Sequence, residues 1–350
     1  MSIDALFPRQ RSLAAIGAAI LLLLSSLALA ACGGSDDEAS GSSGSGGSGG
    51  KVDVVGYSTP ESVYTDALQP AFEKTPDGKG ASFSDSFGAS GDQSRAVEAG
   101  QPASLVHFSQ GGDMLRLVDD GIVDATWDKN KYKGIAQDSV VVFVVRKGNP
   151  EGIKTFDDLI NKDVDVITPN PFSSGSARWN IMAVYGSQIA QGKSETEALD
   201  AVKKVLEKTT AQPGSGADAL TAFTQGQGDV LLSYENEAIK AQNEGEDVDY
   251  VIPDDSITIQ TPIAVTKDAP ESAQKFLDFI WSDAGQKLWA DNGYRPVNPA
   301  LVDPKQFPPL KGTYTIDKFG GWEKVNEEFF DETNGKVAQI EQDLGVSTAG

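Results

Sequence analysis

Ser139-Val140-Val141-Val142-Phe143-Val144-Val145 is almost wholly apolar and β-branched, and Ile257-Thr258-Ile259-Gln260-Thr261-Pro262-Ile263-Ala264-Val265 is its counterpart far along the chain. A short unbroken apolar run of this kind reads as a strand buried on both faces. The two runs divide the chain into a middle block and an outer one. A chain that leaves one lobe, builds a second and returns needs two crossing strands, which serve as a hinge. This reading assigns 51–140 with 257–350 to lobe one and 141–256 to lobe two.

Working outward, apolar runs alternate with amphipathic segments. Strands are expected at Val52–Tyr57, Ser104–Phe108, Asp165–Ile167 and Asp229–Ser233. Helices are expected at Glu61–Lys74, Gln93–Ala99, Met114–Asp120, from Thr155, and over Gly175–Gln191, Gly216–Gln225, Glu235–Asn243 and Glu271–Asn292. Ser194-Glu195-Thr196-Glu197 is a capping box opening a further helix that runs to Lys208. Strands alternating with helices predict an α/β architecture with mostly parallel sheets.

The 350 residues carry 29 Lys and Arg against 51 Asp and Glu, a net charge of −22, with one Cys and one His. A single Cys excludes an internal disulfide framework and Cys-based zinc sites. The lone His107 leaves no second histidine for a metal set and favours a satisfied buried role over a catalytic one. Acidity opposes a nucleic-acid partner, which needs excess Lys and Arg to release counterions. The acidic pairs Asp119-Asp120, Asp254-Asp255 and Glu327-Glu328 read as solvated faces, and neither a metal site nor a cofactor is expected. Trp281, Trp289 and Trp322 read as core. No nucleophile elbow, HExxH or Walker A lysine is present, so an enzyme is not expected.

Residues 1–31 have the layout of a signal peptide: Arg9 and Arg11, then the uncharged stretch Leu13 to Ala31. It ends in Leu29-Ala30-Ala31-Cys32, which resembles the lipobox of bacterial lipoproteins and implies that Cys32 is the lipid attachment point. A plain membrane span or a secreted chain with an incidental thiol are the alternatives. Stable anchoring takes two or more acyl chains. Residues 32–50 form a Gly/Ser-rich tether with a coil reach on the order of 25 Å. Loss of residues 1–31 removes Asp4, Arg9 and Arg11 and takes the net charge from −22 to −23.

Three loops rich in Gly and Ser precede helices: Gly88-Ala89-Ser90-Gly91-Asp92-Gln93, Thr168 through Asn180, and Gly214-Ser215-Gly216-Ala217. Small residues there let backbone N–H groups converge on an anion at the positive end of a helix dipole. Each loop taken singly also reads as an ordinary strand-to-helix turn with an N-cap serine.

The stretches Val144-Val145-Arg146-Lys147-Gly148-Asn149-Pro150, Val166 to Asn180 and Gly228 to Ala238 closely resemble the sulfate/thiosulfate-binding proteins of ABC importers. Tyr294-Arg295-Pro296 and Phe319-Gly320-Gly321-Trp322 extend the likeness, which runs from about Val52 to Phe330. The resemblance implies a two-lobed type II periplasmic binding protein fold that holds a dehydrated oxyanion between its lobes. It places the anion contacts on Ser58, Ser90, Ser174, Gly175, Ser176, Ala217 and Tyr234. Ser176 stands where the family has glycine, Tyr234 where it has a tryptophan, and Ser58 where it often has Asp. Arg178, beside Trp179, reads as a supporting residue, with direct neutralisation of the anion as the alternative. Sulfate only accepts hydrogen bonds, so a donor-lined pocket without a carboxylate suits it. Hydrogen phosphate needs an acceptor, and a hydroxyl such as that of Tyr234 softens the discrimination.

The expected function is an extracytoplasmic solute-binding lipoprotein, monomeric and anchored to the membrane through its lipid, that passes sulfate or thiosulfate to an ABC permease. A binding protein for phosphate or molybdate, or a surface lipoprotein outside transport, are the alternatives.

Overall fold

The computed structural model describes residues 50–349, so the segments expected as a signal peptide, a lipid attachment point at Cys32 and, but for its last residue, a tether lie outside the described residues. Strand β1 (Lys51–Tyr57) leads into α1 (Glu61–Val63), a π-helical turn (Tyr64–Leu68) and α2 (Gln69–Glu73), which run on without a break. Then come β2 (Ser82–Gly88), α3 (Ser90–Glu98), β3 (Leu105–His107) and α4 (Gly111–Asp119). The long β4 (Ile135–Arg146) opens the middle of the chain: α5 (Phe156–Asn161), β5 (Val166–Ile167), α6 (Gly175–Ala190), α7 (Glu195–Glu207), β6 (Thr209–Ala211), α8 (Gly216–Thr224), β7 (Val230–Tyr234), α9 (Glu235–Asn243) and β8 (Val248–Val251). Strand β9 (Thr258–Val265) returns, followed by α10 (Glu271–Trp281), α11 (Asp283–Asp291), α12 (Gly321–Phe330) and α13 (Lys336–Asp343).

The strands run β2-β1-β3-β9-β4-β7-β5-β6, with β8 also on β4. The sheet is mixed. β1 pairs in parallel with β2 and β3, and β5 with β6 and β7. All four pairings of β4 and β9 are antiparallel. The expectation of mostly parallel sheets therefore fails at the two crossing strands, which run in opposite directions because the chain goes out along one and back along the other.

Strand β4 changes partners along its length. Ile135 to Val140 pairs with β9, whereas Val141 to Val145 pairs with β7. Its valines and Phe143 are fully buried or nearly so, as an apolar run without alternation requires. One core gathers Val54, Tyr64, Phe72, Phe276 and Trp289 beneath β1 and β3. Another gathers Phe143, Phe156, Trp179, Tyr185 and Val202 around β4, α6 and α7. The C-terminal helices join this second core: Trp322 meets Trp179 edge-on at 4.6 Å and Phe329 meets Tyr185 at 4.9 Å. Helix α12 also packs on α4, so it bridges elements from both sides of the crossing strands.

The segment expected as one helix over Glu271–Asn292 is two, divided at Ser282, whose side chain accepts the Gly285 N–H and caps α11. Ser194 and Glu197 do form the capping box of α7. Trp289 and Trp322 are buried, and the Trp281 indole N–H donates to the Ile135 carbonyl (2.8 Å). His107 is fully buried between Tyr64 Oη (2.9 Å from Nδ1) and Thr261 Oγ1 (3.1 Å from Nε2). Burial pushes its pKa down to about 3, so it is a neutral structural bridge.

Candidate functional site

Helices α3 and α6 belong to opposite ends of the strand order, yet their N-termini meet. The Gly91 N–H, in the first turn of α3, donates to the carbonyl of Ser173, just before α6 (3.0 Å). A Cβ on Gly91 would stand 2.9 Å from that carbonyl oxygen, so glycine permits the approach. Neither helix is closed by its own N-cap side chain: α3 follows Ala89, and the Ser174 hydroxyl ahead of α6 makes no cap bond. Elsewhere the same chain caps α5, α7 and α8 with Thr155, Ser194 and Ser215. The first N–H groups of an α-helix have no intrahelical partner, and together they carry about half a positive charge.

The residues singled out from sequence lie around this meeting point. Ser174 Oγ and Ser176 Oγ are 2.8 Å apart, both buried. A Cβ on Gly216 would stand 3.1 Å from Ser176 Oγ and 3.2 Å from Thr59 Cγ2, which places the start of α8 against α6 and the end of β1. The next N–H, that of Ala217, donates to Ser58 Oγ (3.4 Å). Ser90 donates its hydroxyl to Asp113 (2.6 Å) and accepts the Ser109 N–H (2.9 Å). Tyr234 Oη lies 2.6 Å from Ser109 Oγ, and that hydroxyl would be 2.8 Å from a Cβ on Gly175. Ser58, Ala217, Ser176, Ser174, Gly175, Tyr234 and Ser90 thus form one connected cluster.

Arg178 faces elsewhere. Its Nε donates to the Pro171 carbonyl (2.8 Å), its Nη1 to Asn326 (2.9 Å), and its guanidinium lies over the Phe330 ring. It ties the loop before α6 to α12. With Arg95, Arg116 and Asp113 it also lines an open groove of about 940 Å³ whose walls contain none of the seven residues above.

Two carboxyl groups stand nearer the cluster than the reading of a carboxylate-free pocket allowed. Burial raises the pKa of Asp113, while Arg178, the Ser90 hydrogen bond, Arg116 and Arg95 hold it down. Glu237 is buried, with the Ser233 hydroxyl donating to it at 3.3 Å and its Oε2 3.4 Å from a Cβ on Gly216. Burial pushes Glu237 up to about 7, against the opposing effect of Lys240. Burial likewise raises the Tyr234 hydroxyl well above its ordinary value, so it keeps its proton.

Ser109 is the residue that sequence reading missed. It follows β3 in Phe108-Ser109-Gln110-Gly111-Gly112, a fourth strand-to-helix loop of the same small, polar composition, so a signal was present. Its helix, α4, is capped by Gln110, whose side chain accepts the Gly112 N–H. Among the described residues no cluster of His, Cys, Asp and Glu has the makings of a metal site.

Comparison with known proteins sets this geometry in a family. The bacterial extracellular solute-binding protein family matches residues 52–295. A sulfate-binding protein from Synechococcus elongatus is 36% identical over 327 residues, covering 89% of this chain and 92% of the relative. A thiosulfate-binding protein from Pseudomonas aeruginosa is 32% identical, with 79% and 88% covered. Among solved structures, the sulfate-binding protein SubI from Mycobacterium tuberculosis is 42% identical and superposes with a TM-score of 0.77 over 80% of this chain and 99% of its own. The fold is that of the two-lobed periplasmic binding proteins.

Proposed function

The chain belongs to the bacterial extracellular solute-binding protein family, and on that premise we propose that it captures sulfate or thiosulfate and delivers it to an ABC permease. The observation that carries this reading is the meeting of the α3 and α6 N-termini, uncapped by their own side chains, inside a ring of small donors. A tetrahedral dianion accepts hydrogen bonds from all sides. The N–H groups of Ser58, Ser90, Gly175, Ser176 and Ala217, with the hydroxyls of Ser174 and Tyr234, would hold it. The names of the relatives support the choice of oxyanion.

In this reading the lobes are 51–140 with 257–350, and 141–256, with α12 reaching across. β4 and β9 are the hinge, and closure about them shuts water out of the cleft. The net charge of −22 does not oppose a small anion, because helix termini act locally while distant charge is screened within about 8 Å. The protein works outside the cytoplasm as a monomer, tethered by a lipid on Cys32. No helix among the described residues is long and apolar enough to cross a membrane.

The test is calorimetric titration of the protein with sulfate, thiosulfate, molybdate and phosphate. Sulfate or thiosulfate should bind tightest. No binding of any of the four refutes the reading, and tighter phosphate or molybdate moves it to another oxyanion. Ser174→Leu should abolish binding while thermal unfolding stays cooperative. Survival of affinity would mean that the site lies elsewhere.

A further inference from the structure

Ser109 is 1% exposed and held on three sides. Its N–H donates to Ser90 Oγ (2.9 Å), its carbonyl accepts the Trp179 indole N–H (2.7 Å), and its hydroxyl lies 2.6 Å from Tyr234 Oη. Those bonds reach α3, α6 and the end of β7, so the Ser109 hydroxyl has a rigid mount at the junction of the two helix N-termini. Gly175, the first residue of α6, leaves room for it: a Cβ there would press on Ser109 Oγ at 2.8 Å and on Ser109 Cβ at 2.9 Å.

We infer that Ser109, paired with Tyr234, is a specificity-determining residue of the proposed anion site, giving a ring of donors a group, beside the Ser174 and Ser176 hydroxyls, that can turn round and accept. The inference rests on the oxyanion reading above and deepens it. Backbone N–H groups only donate, whereas each hydroxyl of the pair both donates and accepts, and either oxygen can be the donor across their 2.6 Å contact. With sulfate, Ser109 donates to Tyr234 and Tyr234 donates to the anion. With hydrogen phosphate the two O–H groups reverse. The ligand's P–O–H donates to Tyr234, Tyr234 donates to Ser109, and Ser109 donates to an unprotonated oxygen of the same ligand. Every proton in both arrangements has an acceptor, and no group ionises. Tyr234 stays neutral throughout because burial holds its proton on.

The consequence is a site that discriminates between sulfate and a singly protonated oxyanion less sharply than one built of donors alone. Removing the Tyr234 hydroxyl takes away the acceptor of the ligand's proton, and removing that of Ser109 leaves the Tyr234 proton without an acceptor once Tyr234 accepts from the ligand. That penalty corresponds to a loss of about tenfold to a hundredfold in affinity for the protonated ligand.

The experiment measures sulfate, selenate, phosphate and arsenate affinities near pH 8 for the full-length protein in detergent and for three variants. Selenate and arsenate form a larger pair that separates protonation from size. Ser109→Ala and Tyr234→Phe should each raise the ratio of sulfate to phosphate affinity, and of selenate to arsenate affinity, by about tenfold or more. Tyr234→Trp, which supplies a donor that cannot accept, should raise both ratios as well. Ratios that stay constant across all three variants while sulfate still binds overturn the role of the pair. A wild-type protein that binds none of the four oxyanions overturns the anion reading itself, and this inference with it.

Discussion

Removing the Arg295 guanidinium tests the tie between two of the stretches from which the family resemblance was read. Arg295 Nε lies 2.6 Å from Glu235 Oε2 and Nη2 lies 2.9 Å from Oε1, a bidentate pair whose carboxylate is fully buried. Nη2 also donates to the Pro308 carbonyl, and the Arg295 backbone exchanges two hydrogen bonds with Asp138 in β4. Arg295→Met keeps much of the apolar stem and leaves Glu235 without its partner. Breaking a buried pair from one side costs about 3–5 kcal/mol, which for a body of this size is roughly 5–8 °C in Tm.

The pH dependence has a definite sign. Burial already raises the pKa of Glu235, and the hydrogen bonds and charge of Arg295 are what oppose it. In Arg295→Met that opposition is gone, so the folded carboxyl holds a proton more strongly than the unfolded one. The variant's deficit is then largest above the folded pKa and shrinks as pH falls toward the unfolded value near 4.3. Urea unfolding of wild type and variant at about pH 7 and about pH 5 reads this out. A deficit below about 1 kcal/mol at neutral pH, or one equal at both pH values, would show that Glu235 is hydrated and that the pair is not a buried tie.

Gly91→Ala should weaken oxyanion binding by about tenfold (~1.4 kcal/mol), because its Cβ would push the Ser173 carbonyl from 2.9 Å and part the two helix N-termini; unchanged affinity in calorimetry would show that the termini do not act together. His107, with its pKa lowered to about 3 in the fold, gives stability that is complete above about pH 6.5 and is lost as pH falls. His107→Gln should flatten the acid limb of a stability-against-pH curve by up to about 1.4 kcal/mol per pH unit between those values, and parallel curves would contradict a buried neutral imidazole.

The parts of this fold that were legible in the sequence are those whose side chains report burial directly. Val140 to Val145 of β4 stood out because a stretch covered on both faces needs apolar residues at every position, and β9 because its β-branched residues persist through a half-buried first half. β2 (Ser-Phe-Ser-Asp-Ser-Phe-Gly) did not, because it is an edge strand with mostly exposed or half-buried residues and little apolar content to mark it. β8 escaped for a related reason, being four residues long and only partly buried. The break at Ser282 carried a local signal, a serine able to cap the start of α11, but the apolar periodicity on either side masked it.

The candidate site divides along the same line. Composition marked the three Gly/Ser-rich loops, and the family resemblance singled out Ser90, Ser174 to Ser176 and Ala217 within them. Arg178 was read in sequence as a supporting residue, and the structure shows it bonded to Pro171 and Asn326. The contact of Tyr234 with Ser109 is of another kind. It joins positions 125 residues apart, set by how far β7 reaches along β4 and by where the chain turns after β3. No local pattern encodes that coincidence. Small-residue loops also open ordinary helices, as at Ser194, so the loops alone mark places where backbone N–H groups can converge. In the proposed site, discrimination within the class falls to the hydroxyls that tertiary structure brings up to these loops, Ser109 and Tyr234. Residue order therefore marks the loops of the proposed site, whereas the Ser109–Tyr234 contact is legible only in the packing.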